Sequence, residues 1–269
     1  MVMKCDTHLQ IKGSERLREL TSFFIEEFLN KVGAASRHPV HLLFNGNGEL
    51  SENGRKKAVE PINSEIKNGE LFINISEKPL KGIPLSALQG WLDWELGSYL
   101  LGLHPERFHY NFSELIHPLF PVCGSAENLV RDFVNRLEAG LKSYLVTKMA
   151  IDADHASAQL YFHFFRLHLD PEEAEDYYLL APHGWIRLLF LADRLKEYMP
   201  VFLLNQEIVS QNLKSFWWDF HPFWSRKDKQ LFDELASIPG LLNGEPYPIQ
   251  LLEMFKVCKN LFAERGCPE

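Results

Sequence analysis

The sequence predicts an α+β fold: a small N-terminal sheet with one helix, followed by a large helical portion. Apolar residues alternate with a period of two before about residue 80 and follow the helical period of 3.6 beyond residues 79–84. Of the 269 residues, 46% are hydrophobic and 24% are charged, as in globular proteins that bury a sizeable core. Because we find no internal repeat and no long linker, we expect a single domain over 1–269, with a sheet-containing part at 1–80 and a mainly helical part at 81–269.

The N-terminal part combines strand signals with one amphipathic helix. Ser14 is a suitable N-cap, apolar residues follow it at helical spacing, and Gly33 is a suitable end, so we expect a helix over 14–32. Short apolar or alternating runs predict strands at 7–12, 39–44, 56–62 and 70–76. These elements together predict a small sheet packed on one helix.

The remainder of the chain has helical periodicity almost throughout. Pro84 occupies the position of a first helical turn, and Pro200 is expected to end the helix that precedes it. We expect helices over 84–103, 126–153, 156–169, 171–180, 185–199, 227–238 and 248–265.

Charge and cysteine usage narrow the class of protein. The formal net charge of −8 argues against a nucleic-acid partner bound through net charge. No apolar run reaches the roughly 18 residues of a membrane span, and the first 13 residues lack the apolar stretch of a signal peptide. The four cysteines are far apart and form no C-x-x-C pair, which favours a reducing cytoplasm over a disulfide framework or a cysteine zinc site.

One helix carries a recognisable pattern after the strand at 70–76. It reads Trp94-Glu95-Leu96-Gly97-Ser98, with Gly90 ahead of it. This segment resembles the active-site helix of zincin-like metallopeptidases, which reads H-E-x-x-H: the two histidines share a helix face and bind zinc, and the glutamate activates the zinc-bound water. Glu95 stands at the glutamate position, while Trp94 and Ser98 stand at the histidine positions. In the gluzincin branch a glutamate on a later helix is the third ligand, and Glu138, 43 residues after Glu95, matches it best.

The two replaced histidines determine what the resemblance implies. Tryptophan offers no lone pair to a metal and serine is a poor zinc ligand, so we expect no metal and no cofactor at Trp94, Glu95 and Ser98. The resemblance implies a catalytically inactive metallopeptidase-like protein with a binding or regulatory role toward a peptide or protein partner, with Trp94, Glu95, Ser98 and Glu138 as binding residues. We expect the Trp94 indole to fill space near the vacated site and Glu95 to accept hydrogen bonds or to be partly solvated.

Several alternatives stay open on the sequence alone. The chain could be a hydrolase with a non-standard metal site or with catalytic residues that form no recognisable motif. Glu138 could be an ordinary ion-paired carboxylate. The aromatic segment 216–224 could form core or a partner-binding platform. We expect the eleven histidines to be structural or on the surface, including His155 and His163, which lie eight residues apart.

Overall fold

The computed structural model describes residues 15–33, 40–45, 61–76, 80, 82–103, 110–116, 125–166, 171–179, 184–207 and 213–264. The strand predicted at 7–12 and the predicted cap Ser14 lie outside these residues. The described strands are β1 (Val40–Asn45), β2 (Ile62–Lys67) and β3 (Glu70–Ser76). The described helices are α1 (Glu15–Lys31), α2 (Leu85–Gly102), α3 (Phe112–Leu115), α4 (Ser125–Asp152), α5 (Ala156–Arg166), α6 (Pro171–Leu179), α7 (Gly184–Glu207), α8 (Leu213–Phe220), α9 (Arg226–Leu241) and α10 (Tyr247–Glu264).

The predicted α+β class is confirmed, and the described strands all lie before residue 80. They form a sheet of order β1-β3-β2, in which β1 is parallel and β2 antiparallel to β3. The weak strand expected at 56–62 lies outside the described residues except for 61 and 62, and β2 begins at Ile62 and runs to Lys67. Asn68 and Gly69 have φ values of 54° and 81°. A two-residue turn with two positive φ values matches the right-handed strand twist, so it fixes β2 and β3 as a hairpin.

The prediction that Pro200 ends its helix is wrong. α7 runs through Pro200 to Glu207, and α9 likewise contains Pro239. An interior proline costs a helix about 3 kcal/mol. Beyond Pro200, however, Val201, Leu203 and Leu204 are buried, and each buried aliphatic side chain contributes about 1.5–3 kcal/mol. Burial of this turn therefore offsets the proline penalty. No helix was predicted over 213–220, where α8 lies.

The chain divides into two compact units. Unit 1 comprises Met1–Leu103 and Met149–Phe165, and unit 2 comprises His104–Lys148 and Arg166–Glu269. The last residues of α4 belong to unit 1 and the rest of that helix to unit 2. The single domain over 1–269 stays a prediction.

The core of unit 1 surrounds α2. This helix buries residues on every side rather than on one stripe, as expected of a helix enclosed by other elements. One side packs on the apolar face of the sheet, where Leu71, Ile73 and Ile75 are fully buried as their alternation predicts. The other sides meet α1 and α5. The helix that carries the motif is therefore surrounded by side chains of the sheet, α1 and α5.

Unit 2 has an aromatic core that includes part of segment 216–224. Trp217 is fully buried and Trp224 nearly so. The Trp217 ring lies 5.7 Å from that of Tyr198, and the Trp224 ring 4.5 Å from that of Phe232, measured between ring centroids. These two tryptophans are therefore core residues of unit 2, in agreement with one of the two alternatives open for this segment.

Candidate functional site

Glu95 lies where α2 faces the β2–β3 hairpin. Its side chain is partly buried, and its Oε2 accepts a hydrogen bond of 2.5 Å from Ser64 Oγ on β2. One helical turn later, the Tyr99 hydroxyl donates to the carbonyl oxygen of Gly69 in the hairpin turn at 2.8 Å. Residues four apart share a helix face, so the two bonds hold the hairpin on the same face of α2. The expectation that Glu95 accepts a hydrogen bond is confirmed.

The two residues at the histidine positions differ in their surroundings. The Trp94 indole is partly buried, with its ring 5.7 Å from Phe162 and 5.6 Å from His163, both on α5. It therefore fills space against α5, and its proximity to a vacated zinc site stays a prediction. Ser98 is exposed.

Gly90 permits a close approach of α2 to α5. A Cβ atom at this position would lie 2.2 Å from the carbonyl oxygen of Ala158 and 2.7 Å from Phe162 Cβ. The Gln159 side-chain amide also donates to the Gly90 carbonyl oxygen at 2.9 Å. Only glycine leaves room for this contact, so Gly90 sets the spacing of the two helices beneath the motif.

Beside Glu95 in sequence, Asp93 forms a buried pair that the sequence did not predict. Asp93 Oδ2 lies 2.9 Å from His155 Nδ1, and the two side chains are 0% and 3% exposed. On the other side of the imidazole, Nε2 lies 3.7 Å from Glu27 Oε1 and 3.4 Å from the Gln89 amide nitrogen. The pair joins α2 to the start of α5, with α1 supplying a second carboxylate. We call these four residues, Glu27, Gln89, Asp93 and His155, the helix cluster.

Burial and charge act in opposite directions on this pair. Burial lowers the pKa of His155, but the hydrogen bond and the negative charge of Asp93, together with the charge of Glu27, outweigh it and raise the pKa above its ordinary value. Burial raises the pKa of Asp93, although the bond to His155 counteracts part of this effect. The Asp93 carboxylate thus favours the protonated form of His155, and the imidazolium in turn favours the ionised form of Asp93.

Glu138, the predicted third ligand, lies on α4 within unit 2. Its Oε1 lies 2.6 Å from Lys142 Nζ one turn later, and its Oε2 accepts a hydrogen bond of 3.2 Å from the Tyr110 hydroxyl. Burial and the neighbouring carboxylate raise the pKa of Tyr110, which keeps that hydroxyl a donor. Glu138 is thus ion-paired with Lys142, in agreement with one of its two interpretations. Glu138 belongs to unit 2 and Glu95 to unit 1.

A second buried carboxylate organises unit 2. Asp228 Oδ2 accepts hydrogen bonds from Arg187 Nη2 at 2.6 Å, from the Tyr177 hydroxyl at 2.6 Å and from Ser225 Oγ at 2.7 Å. Ser225 also caps α9 by accepting from the Asp228 backbone N–H. Burial alone would raise the pKa of Asp228, but these bonds and the Arg187 charge lower it. The cluster joins α6, α7 and α9, which indicates a structural role.

Metal and membrane sites can be assessed for the described part of the chain. Within it, no group of three or more His, Cys, Asp and Glu side chains is placed to hold a metal ion. None of its helices combines the length and the apolar character needed to cross a membrane.

Comparison with protein-family models, with curated proteins and with solved structures gives no match to this chain.

Proposed function

We propose that this chain is a catalytically inactive, zincin-like protein that binds an extended segment of a peptide or protein partner beside α2 and β2. The observation that carries the proposal is the hydrogen bond from Ser64 to Glu95. It engages the motif glutamate with a strand instead of a metal-bound water. It also holds β2 beside the motif helix, so that a partner strand added to the edge of β2 would lie near the motif.

The motif chemistry supports binding rather than cleavage. Without zinc, water keeps a pKa near about 15.7 instead of about 7, so a carboxylate alone is a weak route to peptide hydrolysis. Trp94 packs on α5 and Ser98 is exposed, and neither side chain is a good zinc ligand. The side chains at the motif positions are therefore not suited to activate water, and Ser98 is the exposed one that a partner could contact.

Strand β2 offers backbone groups for a partner. Among the described residues it pairs with β3 alone, with Lys67 opposite Glu70 at the two-residue turn. Hydrogen-bonded and non-hydrogen-bonded pairs alternate from that turn, so the N–H and C=O groups of Ser64 and Ile66 point away from β3. The Ile66 side chain is 58% exposed. An extended peptide adding to this edge would bond to these groups, a common mode of peptide recognition.

The binding proposal is tested by removing one edge donor. Ile66→Pro deletes an outward N–H without removing a β2–β3 hydrogen bond, and Ile66→Thr is the matched control because it keeps the N–H. With a library of unstructured peptides as probe, we expect the natural chain and the Ile66→Thr variant to retain a common set of peptides and Ile66→Pro to lose it. Equal retention by all three proteins would overturn edge-strand binding.

A hydrolase is the alternative function, and the same hydrogen bond favours it. A carboxylate that accepts a bond from a hydroxyl can take the proton of an attacking serine, so Ser64 would be the nucleophile and Glu95 the base. A broad peptidase and esterase assay separates the two functions. Turnover that Ser64→Ala abolishes would establish the hydrolase and refute the inactive protein.

The zincin-like assignment has its own test. Trp94→His together with Ser98→His restores the two histidines, and we expect the double variant to gain zinc. Trp94→Ala with Ser98→Ala is the matched control for the loss of the indole and the hydroxyl. A folded histidine variant that binds no more zinc than this control would contradict the assignment.

We also propose a cytoplasmic location from the cysteine spacing. Burial raises the pKa of the Cys258 thiol, which keeps it protonated and unreactive, as suits a structural cysteine in a reducing compartment. Fractionation of cells that express the tagged chain tests the location, and recovery in an oxidising compartment would contradict it.

A further inference from the structure

None of the four residues of the helix cluster is among those proposed to contact the partner. His155 directly precedes α5, its backbone N–H donates to the Ala150 carbonyl, and its own carbonyl accepts from Gln159. The residue before it, Asp154, has a φ of 63°, a left-handed conformation that turns the chain sharply between α4 and α5. His155 is thus anchored in the backbone at the point where the segment Met149–Phe165 turns within unit 1.

We propose that the helix cluster is a pH-sensitive clamp, in which protonated His155 holds α5 against α1 and α2 and releases it when the imidazole loses its proton.

The charges around His155 come from two neighbouring helices. Asp93 on α2 lies 2.9 Å from Nδ1, and Glu27 on α1 lies 3.7 Å from Nε2. Lys31 on α1 pairs with Glu27 at 3.4 Å and partly offsets its charge. Two carboxylates against one lysine leave the cluster with an excess of negative charge that only an imidazolium balances. Loss of the proton leaves the fully buried Asp93 carboxylate without its counter-ion, which is costly in a dry interior.

The direction of the pH effect follows from linkage. The pKa of His155 in the folded chain lies above its unfolded value of about 6.5, so its contribution to stability is complete below that pH and is lost as the pH rises through the folded pKa. The pKa of Asp93 is also raised, which likewise lowers stability as the pH rises, but from about pH 3.8 upward. Comparison with a variant that lacks the imidazole therefore separates the contribution of His155 from that of Asp93.

Release of α5 would uncover a specific apolar contact. Phe162 of α5 is fully buried, with its ring 5.5 Å from that of Trp91 on α2 and 5.7 Å from that of Trp94. Opening of α5 would expose these rings, so the clamp would control access to the Trp94 side of α2.

The test measures hydrogen exchange of residues 156–166 in the full-length chain between pH 6 and 9, corrected for the intrinsic pH dependence of exchange. In the natural chain we expect the protection of these amides to fall, by up to about tenfold per pH unit through the His155 titration. His155→Gln should remove this dependence. His41→Gln is the matched control, because His41 also pairs with a carboxylate in unit 1, Glu70, but one that is 42% exposed, and it should keep the natural response.

A second measurement needs no variant at all. The imidazole of His155, followed by nuclear magnetic resonance in the natural chain, should titrate at a higher pH than a histidine in a short peptide, and its midpoint should match the loss of α5 protection. The clamp is refuted by a normal or lowered midpoint, by α5 protection that stays constant across the titration, or by the same pH response in His155→Gln. The first two results stand even where His155→Gln fails to fold.

Discussion

Replacement of Gly90 by alanine should loosen the contact between α2 and α5. The new Cβ would lie 2.2 Å from the Ala158 carbonyl oxygen, and contacts under 3.0 Å essentially never occur, so the two atoms must separate by about 0.8 Å. The obstacle is backbone, which no rotamer change can move aside. Overpacking of this kind costs about 1–3 kcal/mol, and the strained Gln159 bond to Gly90 adds about 1 kcal/mol.

The preference of helices for alanine acts in the opposite direction. Alanine is favoured over glycine by about 1 kcal/mol in a helix interior, so we expect a net loss of about 1–3 kcal/mol in the free energy of unfolding of unit 1. Gly102 is the matched control, because it lies on the same helix and its Cβ would meet no atom within 4 Å. Gly102→Ala should leave stability unchanged or raise it by up to about 1 kcal/mol.

Urea unfolding, followed by hydrogen exchange of α2 and α5, measures both variants. Exchange resolves unit 1 from unit 2, which a single spectroscopic transition does not. The packing argument is refuted if Gly90→Ala protects α5 as well as Gly102→Ala does. That result would mean that α5 moves away from α2 at no cost.

Further variants address acid stability, the interior proline and the hairpin contact. Asp228→Asn should lower stability at pH 7 by about 3–5 kcal/mol, because it leaves the Arg187 charge buried without its partner. The folded pKa of Asp228 is depressed, so its contribution to stability is present above about pH 3.8 and is lost as the pH falls through the folded pKa. The stability difference between Asp228→Asn and the natural chain should therefore shrink in acid. Denaturant titrations at several pH values measure this difference. Pro200→Ala should raise the free energy of unfolding by about 1–2 kcal/mol, and with it the melting temperature, because it restores a helical N–H. A lower melting temperature would show that the proline ring is needed for packing. Tyr99→Phe should cost about 1 kcal/mol and increase exchange in the Gly69 turn, and unchanged exchange there would count against the hydrogen bond as an anchor.

Local pattern was sufficient to predict the long elements of this fold. The alternation of β3 and the periodicity of α2 and α4 match the structure within one residue, because each is a long and regular burial pattern. The position of β2 was missed although a signal was present. Asn68-Gly69 between two polar-apolar runs is a strong hairpin marker, and it would have placed β2 directly before it.

Tertiary partners could not be obtained from spacing. Asp93 and His155 are 62 residues apart, and Ser64 and Glu95 are 31 apart. Nothing in the local sequence of Asp93 distinguishes it from a surface carboxylate, because its burial depends on how closely α5 approaches. Gly90 was the available hint, since a glycine inside a regular helix pattern often permits such an approach. The prediction that Pro200 ends its helix was wrong for a related reason. Burial of the residues beyond Pro200 outweighs the local preference of proline to end a helix.

The order in which the chain visits its two units restricts how it can be divided for experiments. Residues 104–148 behave as an insertion within unit 1, because the chain leaves this unit after Leu103 and returns at Met149. A fragment that stops at Leu103 lacks α5, so Asp93 loses its imidazole and Trp91 loses Phe162. A contiguous fragment that keeps unit 1 whole must reach Phe165, and it then carries a large part of α4 without the helices of unit 2 that follow. Expression of unit 1 in isolation therefore calls for an engineered junction between residues 103 and 149, and a simple truncation is not equivalent.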